Sequence, residues 1–201
     1  MNYLAIDTSG SNLTVVVCKQ DKIYTFFDEN CGTHHSVRLL DETEKLCELA
    51  GFDLKDADFF AVVTGAGSFT GIRIGVATVK ALCLAYRKPC LNITSFDTIA
   101  YNKDKDKVLA IIDANHNGYY ICGYNGGKVT VSPSFVHGED LKSYADYEFL
   151  TGENPKNINC KKVSVEEGLI KAIAAKYKEA TFDYSSVTPL YVRKSQAEEG
   201  R

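Results

Sequence analysis

The stretch Gly65 to Gly75, GAGSFTGIRIG, constrains this chain more than any other. It follows a strand-like run, Phe59-Phe60-Ala61-Val62-Val63-Thr64, and leads into an apolar run from Ile72 to Tyr86 of helical character. A strand, a glycine-rich turn and a helix form the corner at which helix N-termini hold phosphate. The spacing argues against that use. Gly65 and Gly71 enclose five residues, one more than a P-loop allows, and Ile72-Arg73 stand where Lys and Ser or Thr are required. A dinucleotide fingerprint would need glycine in place of Thr70, and an acid about twenty residues on, where Lys88 and Pro89 sit. The favoured reading is structural: Gly65, Gly67 and Gly71 let the helix approach the sheet closely, with Ser68 or Thr70 as N-cap and Phe69 between them.

The helix that follows has a surplus of apolar surface. From Gly71 to Tyr86 only Arg73 and Lys80 are charged, and Ile72, Ile74, Val76, Val79, Leu82, Cys83 and Leu84 fall on every side. A helix apolar all round is buried all round, and a chain of 201 residues seldom encloses one by itself. One face is therefore expected to meet the sheet and another a second polypeptide. A membrane span is not expected, because the run reads as too short and carries two cations.

Charge and cysteine content narrow the class. A net charge of −3 and a pI near 5.8 argue against nucleic-acid binding by the chain's own surface. Arg193, Lys194 and Arg201 near the end are offset by Glu198 and Glu199. The seven cysteines form no CxxC and read as small hydrophobes of a reducing compartment. Asp7 comes too early for a signal peptide, so a cytoplasmic location is expected.

In order, Tyr3–Ile6, Leu13–Lys19 and Ile23–Phe27 read as an antiparallel meander, with a polar turn from Asp7 to Asn12. Thr33–Ala50 reads as a helix with Leu39, Leu40, Thr43, Leu46, Cys47 and Ala50 on one stripe, ended by Gly51. Cys90–Ile93 reads as a strand and Ser95 as the cap of a short helix. The charged run Asn102–Lys107 marks the expected boundary between lobes 1–102 and 103–201. Beyond it Val108–Ile112 is a strand ending in Asp113, Ser132–Val136 and Tyr147–Leu150 are candidate strands, Glu139–Tyr144 is a short helix and Val165–Tyr177 a longer one.

The two halves echo each other. A shift of 106 residues carries Asp7 onto Asp113, Lys22 onto Lys128 and Ile23 onto Val129, with Gly126-Gly127 where Gln20-Asp21 stand. Paired lobes that each open with strand, Asp, turn and hairpin are similar to the actin-like ATPases, whose turns grip phosphate and metal. Asp7, Thr8, Ser9 and Asp113 would be those turns here, but neither contains a Lys and each has only one Gly. A retained scaffold is favoured over a working ATP site. His34 and His35 are adjacent, hence about 100° apart on a helix, and His116 and His137 are isolated, so no metal site is expected. Ser68 has no evident base beside it.

These residues resemble one family. GAGSFTGIRIG is similar to the GPGSFTGLRIG signature of TsaB, also called YeaZ. AIDTS at the N-terminus, His35 to Leu40, Asp113-Ala114 and the final PLYVRKSQAE resemble it too, in order along the whole chain. Ala66 replaces the family's Pro, Asn115 stands where Arg is common, and Asp41 where Pro is frequent. The resemblance implies a two-lobe actin-like fold without a catalytic site of its own. It implies pairing with the paralogous catalytic subunit TsaD, which carries the metal-binding histidines, and association with the ATPase TsaE. The complex transfers threonylcarbamoyl to the tRNA adenosine beside the anticodon. ATP and metal would belong to the partners, and tRNA would be met only through the complex. The family pairs through its first two long helices, and alone can form homodimers by the same surface. The implied interface comprises Leu39, Leu40, Thr43 and Cys47 on the first helix, and Ile72, Arg73, Val76, Val79, Lys80 and Cys83 on the second. The competing readings are a free-standing actin-like phosphotransferase using ATP and, behind it, a dinucleotide-dependent oxidoreductase.

Overall fold

The computed structural model describes residues 1–103, 106–115, 117–153, 155 and 158–193. The readings made on Asp104, Lys105, His116 and the tail from Lys194 to Arg201 lie outside these residues. Two compact units emerge: Met1–Ile93 with Ile173–Pro189, and Thr94–Ala172 with the segment from Leu190. They are not the contiguous halves expected to meet at 102/103, because residues 173–189 pack with the first unit. There Thr181 and Cys90 exchange backbone hydrogen bonds of 2.8 and 2.9 Å. Tyr184 Oη donates to the carbonyls of Cys83 and Lys88 at 3.3 and 2.9 Å.

The first unit is built on strands β1 (Tyr3–Asp7), β2 (Leu13–Lys19), β3 (Lys22–Asp28), β4 (Phe59–Val63) and β5 (Cys90–Ile93), in the order β3-β2-β1-β4-β5. The β1–β2–β3 meander is antiparallel, while β4 and β5 run parallel to β1. The second unit has β6 (Lys107–Asp113), β7 (Gly118–Asn125), β8 (Lys128–His137), β9 (Glu148–Thr151) and β10 (Lys161–Lys162). Read from its β8 edge, its order is β8-β7-β6-β9-β10, the same arrangement with the same strand directions. The hairpin turns that the sequence shift superposes share a backbone conformation. Gln20 and Asp21 have φ of 50° and 64°, and Gly126 and Gly127 have φ of 57° and 72°. Two left-handed residues make the type I′ turn that fits the twist of a hairpin. This is the duplicated α/β arrangement that the echo between the two halves of the sequence implies.

Helix α1 (His35–Ala50) packs on β2 and β3, and α2 (Phe69–Tyr86) on β1 and β4. Gly51 ends α1 in the left-handed conformation (φ 58°), its N–H reaching the Glu48 carbonyl at 3.0 Å. Between them lie Leu4, Ile6, Val15, Val17, Phe60 and Val62 from the sheet. The second unit has its own core around Leu109, Ile111, Tyr119, Ile121 and Leu141. Its short helix α3 (Ser95–Ala100) is capped by Thr94 rather than Ser95. Thr94 Oγ1 accepts from the Asp97 N–H at 3.0 Å while Asp97 Oδ2 accepts from the Thr94 N–H at 2.8 Å, a capping box. Gly138–Tyr144 is a 3-10 helix, so no long helix follows β8 as α1 follows β3. Helix α4 (Val165–Lys176) crosses α3 closely at Gly168, where a Cβ would stand 1.7 Å from the Thr98 carbonyl oxygen. All seven cysteines carry free thiols and five are buried; burial pushes those of Cys47 and Cys160 up to about 11.

Candidate functional site

The turn after β1 and the loop before α2 form one interlocked unit. Asp7 is buried, and its Oδ1 accepts from both the N–H and the hydroxyl of Ser9, at 2.8 and 2.7 Å. Thr8 Oγ1 donates to the Gly71 carbonyl at 2.7 Å. The Ser68 N–H donates to the Ser9 carbonyl at 2.7 Å, and the Ser68 hydroxyl caps α2 by accepting from the Gly71 N–H at 3.2 Å. The glycines are required by this closeness. A Cβ at Gly67 would lie 2.1 Å from the Ser9 carbonyl oxygen, and one at Gly71 would lie 2.1 Å from that of Thr8. One turn further on, a Cβ at Gly75 would lie 2.6 Å from Thr8 Oγ1. The N–H groups of Ser9, Ser68, Gly71 and Ile72 are thus engaged within the protein. Phosphate sites at helix N-termini work through free N–H groups, and these four are not free.

Burial raises the Asp7 carboxyl above its ordinary value, against the lowering effects of Ser9 and of the nearby His35. A carboxyl raised on folding holds its proton more tightly in the folded than in the unfolded chain. Its contribution to stability is complete below the unfolded value and is lost as pH rises through the folded one. Asp7→Asn, which keeps an acceptor for Ser9, is therefore expected to melt higher than the natural chain at pH 7. The advantage should shrink as pH falls toward the carboxylate range, as read by thermal melts of both proteins across that interval. A variant that melts lower at pH 7 would show the charge to be needed.

In the second unit Asp113 is half-buried and its Oδ1 accepts from the Asn115 N–H at 2.7 Å, repeating the turn of Asp7. The adjacent histidines diverge: His35 is buried with Nε2 2.9 Å from the Asn12 carbonyl, while His34 Nδ1 lies 3.3 Å from that of Cys31. Among the described residues no three His, Cys, Asp or Glu side chains gather into a metal site.

The residues assigned to a partner interface divide sharply. Ile72, Val76, Val79 and Cys83 lie in the core of the first unit, as does Leu39, and Thr43 is buried with its hydroxyl donating to the Leu39 carbonyl at 2.7 Å. These six are covered by the chain's own sheet and helices, which corrects their assignment to a surface. Lys80 is half-buried and donates to the Val187 carbonyl at 3.3 Å. Leu40, at 63% exposed, and Arg73, whose guanidinium lies 3.7 Å from the centre of the Phe69 ring, face outward, and Cys47 is half-buried. The exposed apolar residues of the helix pair instead include Val37, Leu40 and Leu49 on α1 and Ala77, Ala81, Leu84 and Ala85 on α2. A groove of about 560 Å³ lies between the helices, lined among others by Leu40, Glu44, Cys47, Leu54, Thr78 and Leu82. Helix α2 has 18 residues and is long and apolar enough to cross a membrane by length and composition, contrary to the expectation that it is too short. Its core-facing stripe is packed in the first unit instead.

The family model described as TsaD, tRNA N6-adenosine threonylcarbamoyltransferase, matches residues 26–188. A protein of Buchnera aphidicola (subspecies Schizaphis graminum) called tRNA threonylcarbamoyladenosine biosynthesis protein TsaB is 34% identical over 121 residues, which is 58% of this chain and 57% of that one. The TsaB protein of Escherichia coli K12 is 28% identical over 154 residues, 75% of this chain and 64% of that one. The chain belongs to the TsaB (YeaZ) family. The solved structure of an uncharacterised Pseudomonas aeruginosa protein with similarity to peptidase YeaZ superposes with a TM-score of 0.80, covering 96% of this chain and 99% of that one at 22% identity. YeaZ of the same organism superposes with a TM-score of 0.76 at 22% identity, over 94% and 99% of the two chains. These likenesses establish a shared TsaB-type fold. The match to the curated TsaB relatives spans about two thirds of their length or less. In this TsaB-family chain the signature loop is an internal joint, and the outward residues of α1 and α2 are the features that the joint leaves without a role.

Proposed function

We propose that this chain is a non-catalytic subunit in the formation of threonylcarbamoyladenosine on tRNA, docking a TsaD-like catalytic subunit through the exposed side of α1 and α2. The observation that carries the reading is the set of exposed apolar residues on the two helices, Val37 and Leu40 on α1 and Ala77, Ala81 and Leu84 on α2, with Leu40 also lining the groove. Exposed apolar surface on a helix beyond what its own core uses marks sites of association, and small residues at i, i+4, here Ala77, Ala81 and Ala85, let a second helix approach closely. The names of the relatives support the pathway. The match to a threonylcarbamoyltransferase model supports a partner of related fold. The joint between Asp7 and Gly71 supports a scaffold role, since the N–H groups of Ser9, Ser68, Gly71 and Ile72 at this corner are engaged within the protein. On this reading ATP and metal are supplied by the partners, a TsaE-type ATPase joins the assembly, and tRNA is met through the complex.

Purified chain mixed with candidate catalytic subunits, followed by mass measurement and a threonylcarbamoyl-transfer assay with each component left out in turn, tests the proposal. Transfer is expected only when this chain and the catalytic subunit are both present. Transfer by this chain alone, tight ATP binding to it by calorimetry, or full activity of the catalytic subunit without it would overturn the reading.

A further inference from the structure

We propose that the free edge of the first sheet recognises itself: a second copy of this chain pairs its β3 antiparallel to β3, about a two-fold axis at Thr25. β3 is the outermost strand, paired on one side only, with every residue from Lys22 to Asp28 in unbroken register with β2. Sheet edges are ordinarily blunted by proline, bulges or central charges, because an open row of N–H and carbonyl groups invites another strand. The matching edge of the second unit is blunted in that way: β8 contains Pro133 and two register irregularities. β3 has neither, and its only charges are at its ends.

The sequence KIYTFFD is complementary to its own reverse. Centred on Thr25, antiparallel pairing sets Lys22 against the partner's Asp28 and Ile23 against the partner's Phe27. It sets Tyr24 against the partner's Phe26 and Thr25 against the partner's Thr25. Opposite charges, and aromatic with β-branched or aromatic residues, are the favourable cross-strand pairs. Ile23 and Phe27 are 38% and 41% exposed, and both would be covered. On the other side the aromatic rings are already held by cations, Lys22 over Tyr24 and Arg38 over Phe26. The contact is isologous, closes with two copies and joins their sheets into one. It is separate from the α1–α2 surface and independent of the catalytic reading.

The test is sedimentation equilibrium of the full chain with its natural sequence, of Lys22→Asp, of Asp28→Lys and of an equimolar mixture of the two variants. Circular dichroism checks that each is folded, since Asp28 also pairs with Arg38. A concentration-dependent dimer is expected, with amide exchange at residues 23–27 slowed as concentration rises. Each single variant turns two opposite-charge pairs into two like-charge pairs and should raise the dimer dissociation constant about tenfold or more. In the mixture the charges are complementary again, and association should return. A chain that stays monomeric to millimolar concentration, a dimer indifferent to Lys22→Asp and lost with Leu84→Glu, or a mixture that fails to reassociate would each overturn the proposal.

Discussion

Alanine at Gly71 is expected to destabilise this protein by about 3 kcal/mol, the upper end of what overpacking costs. The added Cβ would stand 2.1 Å from the Thr8 carbonyl oxygen, a backbone atom at the end of β1 that cannot rotate away. It would also press the Ser68 side chain, which caps the helix, at 3.3 Å. Alanine is the better helix former by about 1 kcal/mol, so propensity alone predicts the opposite sign; the clash decides. The melting temperature should fall by roughly 6–12 °C for a chain of this size. Gly126→Ala is the control, since nothing lies within 4 Å of its Cβ and only the left-handed backbone (φ 57°) opposes it, at about 1–2 kcal/mol. An unchanged melt for Gly71→Ala would mean that α2 does not seat against the β1 turn as described.

Glutamate at Ala81 or Leu84 is expected to leave the fold intact and remove the partner. Both side chains are exposed, Leu84 at 62%, and make no part of the first unit's core. Each should melt within about 2 °C of the natural chain, as surface substitutions do. Affinity for the catalytic subunit, read by calorimetry, should fall at least about a hundredfold, because a charge would be buried unpaired in the contact. Val76→Asp and Val79→Asp serve as the contrast. Val76 is 6% and Val79 0% exposed, so these variants should unfold the first unit, and lost binding would then follow from lost structure. Tight binding by folded Leu84→Glu would remove the docking surface from the proposal.

Much of this architecture was legible in the residues. Alternation and turn chemistry marked the meander from Tyr3 to Phe27, and the paired turns at Gln20-Asp21 and Gly126-Gly127 proved to share one left-handed conformation. Gly51 signalled the end of its helix, and of the two caps the sequence offered for α2, Ser68 and Thr70, the geometry selects Ser68. At the next helix the signal was misread by one residue, because Thr94 and Ser95 are both good caps and only the reciprocal bond to Asp97 separates them. β10, two residues long, has no periodicity to read.

Local chemistry in the chain determined which segments are strands and helices and that the two halves repeat; that glycine is required at positions 67 and 71 follows from the approach of Ser9 and Thr8 across some sixty residues. Local chemistry also determined that α2 has more apolar surface than a sheet alone can cover. Tertiary structure decided which side of α2 that surplus occupies. A helix apolar on every side has no preferred direction of its own; the sheet beneath it takes the stripe of Ile72, Val76, Val79 and Cys83 and leaves Ala77, Ala81 and Leu84 outside. The return of residues 173–189 to the first unit was decided in the same way. It depends on hydrogen bonds between Thr181 and Cys90 and between Tyr184 and Lys88, contacts across some ninety residues of chain that no local pattern encodes.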